Sequence, residues 1–187
     1  MVPEQLHREI HTRQDSSSGR RQCDAHTSGL GVSMMTIDDD SYPTRAPVWW
    51  ARRGPAGPHP EGTGATGRQV VIRIPKSLSG IEAMLSRLLR APNEVRRPMD
   101  DMNSVLWELM DGTINLGKIT RLMDATFHER IAPSDERIRA SIGKLVSDGL
   151  AIVRQSPFEG EWNVSSRHDP SGMLSVPSPR LGLDTDE

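Results

Sequence analysis

The residues in this sequence whose types suit chemistry are few and scattered. Asp38-Asp39-Asp40 sets three carboxylates in a row. Hard cations favour such oxygens, but a lone acidic run in a polar loop is ordinarily solvated. His128-Glu129 brings one imidazole and one carboxylate, without the second histidine that zinc chemistry would ask for at ligand spacing. Asp111-Gly112 reads as a turn and not as a catalytic acid. Ser and His residues lie mostly in stretches without periodicity, so no nucleophile, base and orienting group can be assembled from them. Cys23, the single cysteine, gives neither an internal disulfide nor a thiolate metal site. The glycine-rich run 54–67 lacks the Lys and the spacing of a phosphate-binding loop. The expectation is a protein that is not an enzyme, with no cofactor and no metal.

The elements able to position a binding surface lie in the middle of the chain. Pro47–Arg53 reads as a strand, with Val48, Trp49 and Trp50 suited to a pleated sheet. Residues 54–67 read as a flexible connector. Arg68–Pro75 is a second strand, its Val70, Ile72 and Ile74 alternating on one face. Ser77–Arg90 has helical spacing, capped by Ser79. Glu94–Met99 is a third strand with Val95, Arg97 and Met99 on one face, and Pro98 assigns it to a sheet edge because proline offers no N–H to a ladder.

Three helices follow. The first starts on Asp100 or Asp101 and buries Met102, Val105, Leu106, Leu109 and Met110, with Trp107 and Glu108 toward its flank; Asp111-Gly112 stops it. The second is capped by Asn115 and aligns Leu116, Ile119, Leu122, Met123 and Phe127. The third takes Ser134 as its cap, turns Ile138, Ile142, Leu145 and Val146 inward, and ends at Gly149. Leu150–Gln155 is a strand, returning over Phe158–Ser165 as the second arm of a hairpin. Strands, then three helices, then a hairpin is the order of a winged helix.

Composition sets the boundaries. In 187 residues, 35% are hydrophobic and 4% aromatic, with 16 Gly and 14 Pro, and the core-building residues concentrate centrally. The expected class is α+β, winged-helix-like: a small N-terminal β-sheet followed by a three-helix bundle, with disordered tails at 1–46 and 166–187 around a domain at 47–165 whose core is 68–155. Met34-Met35 offers an alternative start to the chain. A net charge of -2 advertises no nucleic-acid footprint. No apolar run approaches transmembrane length and no apolar signal segment opens the sequence, so a cytoplasmic location is expected.

The run from Met99 through Trp107-Glu108-Leu109-Met110-Asp111-Gly112-Thr113, continued by Leu145-Val146-Ser147-Asp148-Gly149-Leu150, resembles the PqqD family over Gln69 to Val153. Two positions depart from the family pattern: Asn115 stands for the usual Thr cap and Lys118 for the usual Glu, which removes half of a capping box. Such domains bind the leader of a ribosomally made precursor peptide and present it to a modifying enzyme, often a radical-SAM protein. The resemblance implies that a peptide adds as a strand along Val95, Arg96, Arg97 and Met99 and packs on Arg137, Ile138, Ser141, Ile142 and Leu145. Arg96, Arg97 and Arg137 would attract acidic leader residues.

Ordinary readings stand beside this one. Ile138, Ile142 and Leu145 suit a core, and Arg96 and Arg97 suit an edge protected against aggregation. The rival function is a winged-helix transcription regulator with Arg137, Arg139 and Lys144 on DNA and Leu150–Ser165 as the wing. Asp135, Glu136 and Asp148 cancel those cations, and Glu159 and Glu161 sit on the wing, which argues against a phosphate-binding face. A small enzyme is the weakest reading, for want of a catalytic constellation.

Overall fold

Val70 and Ile72, alternating along one strand, and Trp50 beside them build the sheet face on which the helices rest. The structure is a computed structural model that describes residues 37–76 and 94–183. The helix expected over Ser77–Arg90, the first 36 residues and the last four lie outside the described residues. In chain order the elements are β1 (Tyr42–Arg45), β2 (Trp49–Arg53), β3 (Gln69–Pro75), β4 (Glu94–Pro98), α1 (Asp101–Leu109), α2 (Leu116–Phe127), α3 (Ser134–Ser147) and β5 (Ala151–Arg154). The class is α+β, with two small antiparallel sheets, β2-β3-β4 and β1-β5.

The register puts Trp50, Ile72 and Arg97 in one row, and Arg52, Val70 and Met99 in the next. This face meets the helices, and Trp50, Val70, Ile72 and Met99 join Val105, Leu106, Trp107, Ile119, Met123, Ile138 and Ile142 in one core. Trp107 is fully buried, not on the flank as its spacing suggested, and stands edge-on to Trp50 at 6.3 Å.

Helix ends follow local chemistry. Asp100 caps α1 by accepting from the Asn103 N–H at 2.7 Å, and Asn115 caps α2 by accepting from the Lys118 N–H at 3.0 Å. The cap of α3 is Pro133, so Ser134 is the first helical residue and makes no capping bond. The far end of α3 closes with the Gly149 N–H on Val146 O at 2.9 Å and the Leu150 N–H on Leu145 O at 2.8 Å. That double bond pattern requires the left-handed Gly149 (φ +69).

Several expectations about the chain's periphery are corrected. Residues 42–45 form β1 inside the stretch read as a tail, because β5 lacks a hairpin partner and takes β1 instead, Tyr42 opposite Arg154 and Arg45 opposite Ala151. Phe158–Ser165 is not a strand. It folds back on the domain: the Phe158 N–H donates to Gly112 O at 2.9 Å, Trp162 Nε1 to Arg45 O at 2.8 Å, and Trp50 Nε1 to Val164 O at 3.1 Å. Residues 167–183, read as tail, also engage the sheet. The Arg167 N–H donates to Trp50 O at 2.7 Å, Arg73 Nη2 to Ser175 O at 2.7 Å, and Leu183 bridges Arg53. Backbone groups left over along β2, and the buried Arg73, take partners that low apolar content had hidden.

The connector 54–67 has no helix or strand, yet it is pinned by Glu108. That carboxylate accepts from Arg52 Nε at 2.5 Å, the Thr66 hydroxyl at 2.9 Å, and the N–H groups of Thr66 and Gly67 at 2.8 and 3.2 Å. Gly67 (φ +64) passes so close to Gly57 that a Cβ there would lie 2.4 Å from its carbonyl oxygen, so only glycine fits. No helix among the described residues is long and apolar enough to cross a membrane.

Candidate functional site

Residues in a strand send their N–H and C=O groups alternately to the two sides. In β4 the bonded positions toward β3 are set by the Met99 N–H, which donates to Val70 O at 2.9 Å. Counting back by twos, Arg97 and Val95 also face β3, opposite Ile72 and Ile74. Glu94, Arg96 and Pro98 therefore point their backbone groups away from the sheet. Pro98, with no N–H, sits where a ladder with β3 loses nothing. Within the β2-β3-β4 sheet, β4 is an edge with no further described strand beside it.

Along this edge, between β4 and α3, runs an open groove of about 420 Å³. Met99, Pro98, Ala140 and Leu145 supply apolar lining, and Arg97, Asp100, Asn103, Ser141, Lys144 and Asp148 the polar part. The α3 wall comes from the positions at 140, 141, 144, 145 and 148, whose three- and four-residue spacing aligns them on one helix face. Across one end of the groove, Arg97 Nη1 reaches Asp148 Oδ2 at 2.6 Å, and Lys144 Nζ holds Asp148 Oδ1 at 2.7 Å. The hydrogen bond from Lys144, followed by that from Arg97, holds the Asp148 carboxyl below its usual range.

Of the residues singled out from sequence, Arg97, Met99, Ser141 and Leu145 line this groove. Val95 and Arg96 lie on the same strand, exposed and beyond the lining. Ile138 and Ile142 are wholly buried core residues: they occupy the inward face of α3, one helical step away from the lining. Arg137 is exposed and donates to Arg130 O at 3.1 Å, which turns it from the groove. Lys144, Asp148, Asp100 and Asn103 were missed as site residues. The Lys144–Asp148 spacing of four on a helix was the signal available for two of them.

The opposite face of the sheet carries a second charged cluster. Arg73, 1% exposed, donates from Nε to Glu94 Oε2 at 3.0 Å, and its guanidinium lies 4.6 Å over the Trp49 ring. Arg96 Nε also reaches Glu94, at 2.7 Å. Burial pushes the Glu94 carboxyl up, but the hydrogen bonds from Arg73 and Arg96 outweigh it and hold the group below its ordinary value. A different arginine, Arg45, is brought down to about 10 mainly by desolvation. Its Nη1 donates to Trp107 O at 3.1 Å and Glu108 O at 3.3 Å, a fastening of β1 to α1.

The acidic run Asp38–Asp40 is structural where it is engaged. The Ser41 hydroxyl donates to Asp38 at 2.7 Å, and Asp39 pairs with Arg139. No cluster of His, Cys, Asp and Glu among the described residues is arranged to hold a metal ion. The chain matches no protein-family model, and no curated protein or solved structure matches it.

Proposed function

We propose that this chain is a non-catalytic peptide-recognition module that accepts an extended segment as an added strand on β4. In this reading the segment is the leader of a ribosomally made precursor. The chain presents it, in the cytoplasm, to a peptide-modifying enzyme such as a radical-SAM protein. The resemblance to the PqqD family suggests the role. The observation that carries it is the groove of about 420 Å³ between the open β4 edge and α3. Backbone groups of Glu94, Arg96 and Pro98 offer affinity without sequence preference, and the α3 wall offers side-chain selection. The fold in this reading is winged-helix-like, with the β1-β5 ladder standing where a hairpin wing would be.

The rival DNA reading needs Arg137, Arg139 and Lys144 available to phosphates. Arg139 is held by Asp135 and Asp39 and Arg137 by a backbone carbonyl, which leaves Lys144 without the neighbouring cations a phosphate-binding helix face needs and favours the peptide reading.

Titration of the labelled protein with candidate leader peptides, followed by nuclear magnetic resonance, tests the proposal. Backbone shifts confined to Glu94–Met99 and Ser134–Ser147 are expected. Shifts that bypass both elements would overturn it, as would salt-sensitive binding to random duplex DNA in a mobility assay.

A further inference from the structure

We propose that the segment taken up in this groove is acidic, with a carboxylate at the position opposite Arg97. The inference rests on the strand-addition reading above and gives its occupant a chemistry. Around the edge, two carboxylates are each shared by two cations. Asp148 serves both Arg97 and Lys144, and Glu94 serves both Arg73 and Arg96. Asp100, the other acid of the lining, directs one oxygen to the Asn103 N–H at 2.7 Å and the other to Asn103 Nδ2 at 3.0 Å. The side chains of Arg96, Arg97 and Lys144 are 45%, 40% and 64% exposed. The groove therefore presents Arg97 and Lys144 to solvent, with Arg96 a further cation on the opposite face of the same edge, while the nearby acids are already engaged.

Strand geometry places the occupant's charge. Arg96 and Pro98 turn their backbone groups outward, so the added strand bonds to the Arg96 N–H and C=O and to the Pro98 C=O. Directly opposed residues in paired strands share a face. The residue opposite Arg97 thus points to the α3 side, into the space between Arg97 and Lys144. A carboxylate there competes with Asp148 for both cations. Asp148 is then a specificity device: an acidic segment replaces its contacts, whereas a neutral one must leave them as they stand. A segment with Lys or Arg at that position meets two like charges.

The test is selection of random twelve-residue peptides displayed on phage against the full chain at low ionic strength. Counter-selection uses Ala140→Trp, which fills the groove from an exposed position. The expected pool is enriched over the counter-selected variant and rich in Asp and Glu at one position. Isolated peptides from it should bind Arg97→Gln about fivefold more weakly, the scale of a partly exposed ion pair. They should bind Asp148→Asn more tightly than the parent chain, because Arg97 and Lys144 lose their competing acceptor. Lys144→Gln gives an independent reading, a weakening of similar size. A pool that is enriched without acidic bias, and that binds Asp148→Asn no better, overturns the acidic occupant and leaves strand addition standing. A pool with no enrichment over Ala140→Trp overturns both.

Discussion

The two edges of the β2-β3-β4 sheet are treated in opposite ways. At β2 the chain closes its own edge, with the Arg167 N–H on Trp50 O and Leu183 bridged to Arg53. At β4 the outward groups of Glu94, Arg96 and Pro98 meet no described strand, and a groove runs beside them. An unpaired edge invites pairing with any passing chain. Closing one edge and equipping the other with arginines and a helix wall makes the invitation directional. A segment of low apolar content thus covers one edge of the sheet, while among the described residues the β4 edge keeps no strand partner beyond β3.

The comparison can be broken most severely at Glu94 of β4, whose partner Arg73 on β3 also reaches Ser175 of the C-terminal segment. Glu94→Ala strands a buried guanidinium, and chemical denaturation should show a loss of about 3–5 kcal/mol; a loss under about 1 kcal/mol would mean the pair does not hold the two sides together.

Ending the chain after residue 166 removes the bonds to Trp50 and Arg73 and the Leu183 bridge. A loss of about 2–3 kcal/mol is expected at roughly 1 kcal/mol per hydrogen bond. With both edges then open, sedimentation should report concentration-dependent association; a strictly monomeric truncated chain would show that the β2 edge needs no cover.

Val95→Lys at the open edge, where Val95 is 46% exposed, should change stability by no more than about 0.5 kcal/mol. A larger change in the melting curve would mark the β4 edge as packed and not open.

The smallest effect is the pH response of the groove. The Asp148 carboxyl is held low by Lys144 and then Arg97. Its links are therefore present at neutral pH and are lost only as pH falls through that depressed value. Side-chain resonances of Asp148 and Arg97 should move together below the ordinary aspartate range. A midpoint at or above that range would separate the two residues.

What could be read from sequence was what local chemistry decides. Val70 and Ile72 announced β3 by alternation, Pro98 marked β4 as an edge, and Asp100, Asn115 and Gly149 marked helix ends. The α3 stripe was legible too, but its inward and lateral positions were not separable: Ile138 and Ile142 proved core, while Ser141 and Leu145 face the groove. Periodicity identifies a helix face and does not say where on its curvature the core ends. Other features depend on partners distant in sequence. Tyr42–Arg45, short and interrupted by Pro43, carries little strand signal and is a strand because β5 is there to pair with it. Residues 54–67 look like a linker because nothing local shows that Glu108 will collect their hydrogen bonds. Ser175 and Leu183 have no pattern at all; their place is set by Arg73 and Arg53.

The β1-β5 ladder has a consequence for the time course of folding. It joins Tyr42 to Arg154 and so encloses every helix and strand described between them. Contacts of such sequence separation are formed against a large loss of chain entropy, and rates fall as their share grows. The helices and the β2-β3 pair rest on nearer neighbours and have less to wait for. The ladder is then expected to close late, with the amides of β5 gaining protection from hydrogen exchange after those of the helices.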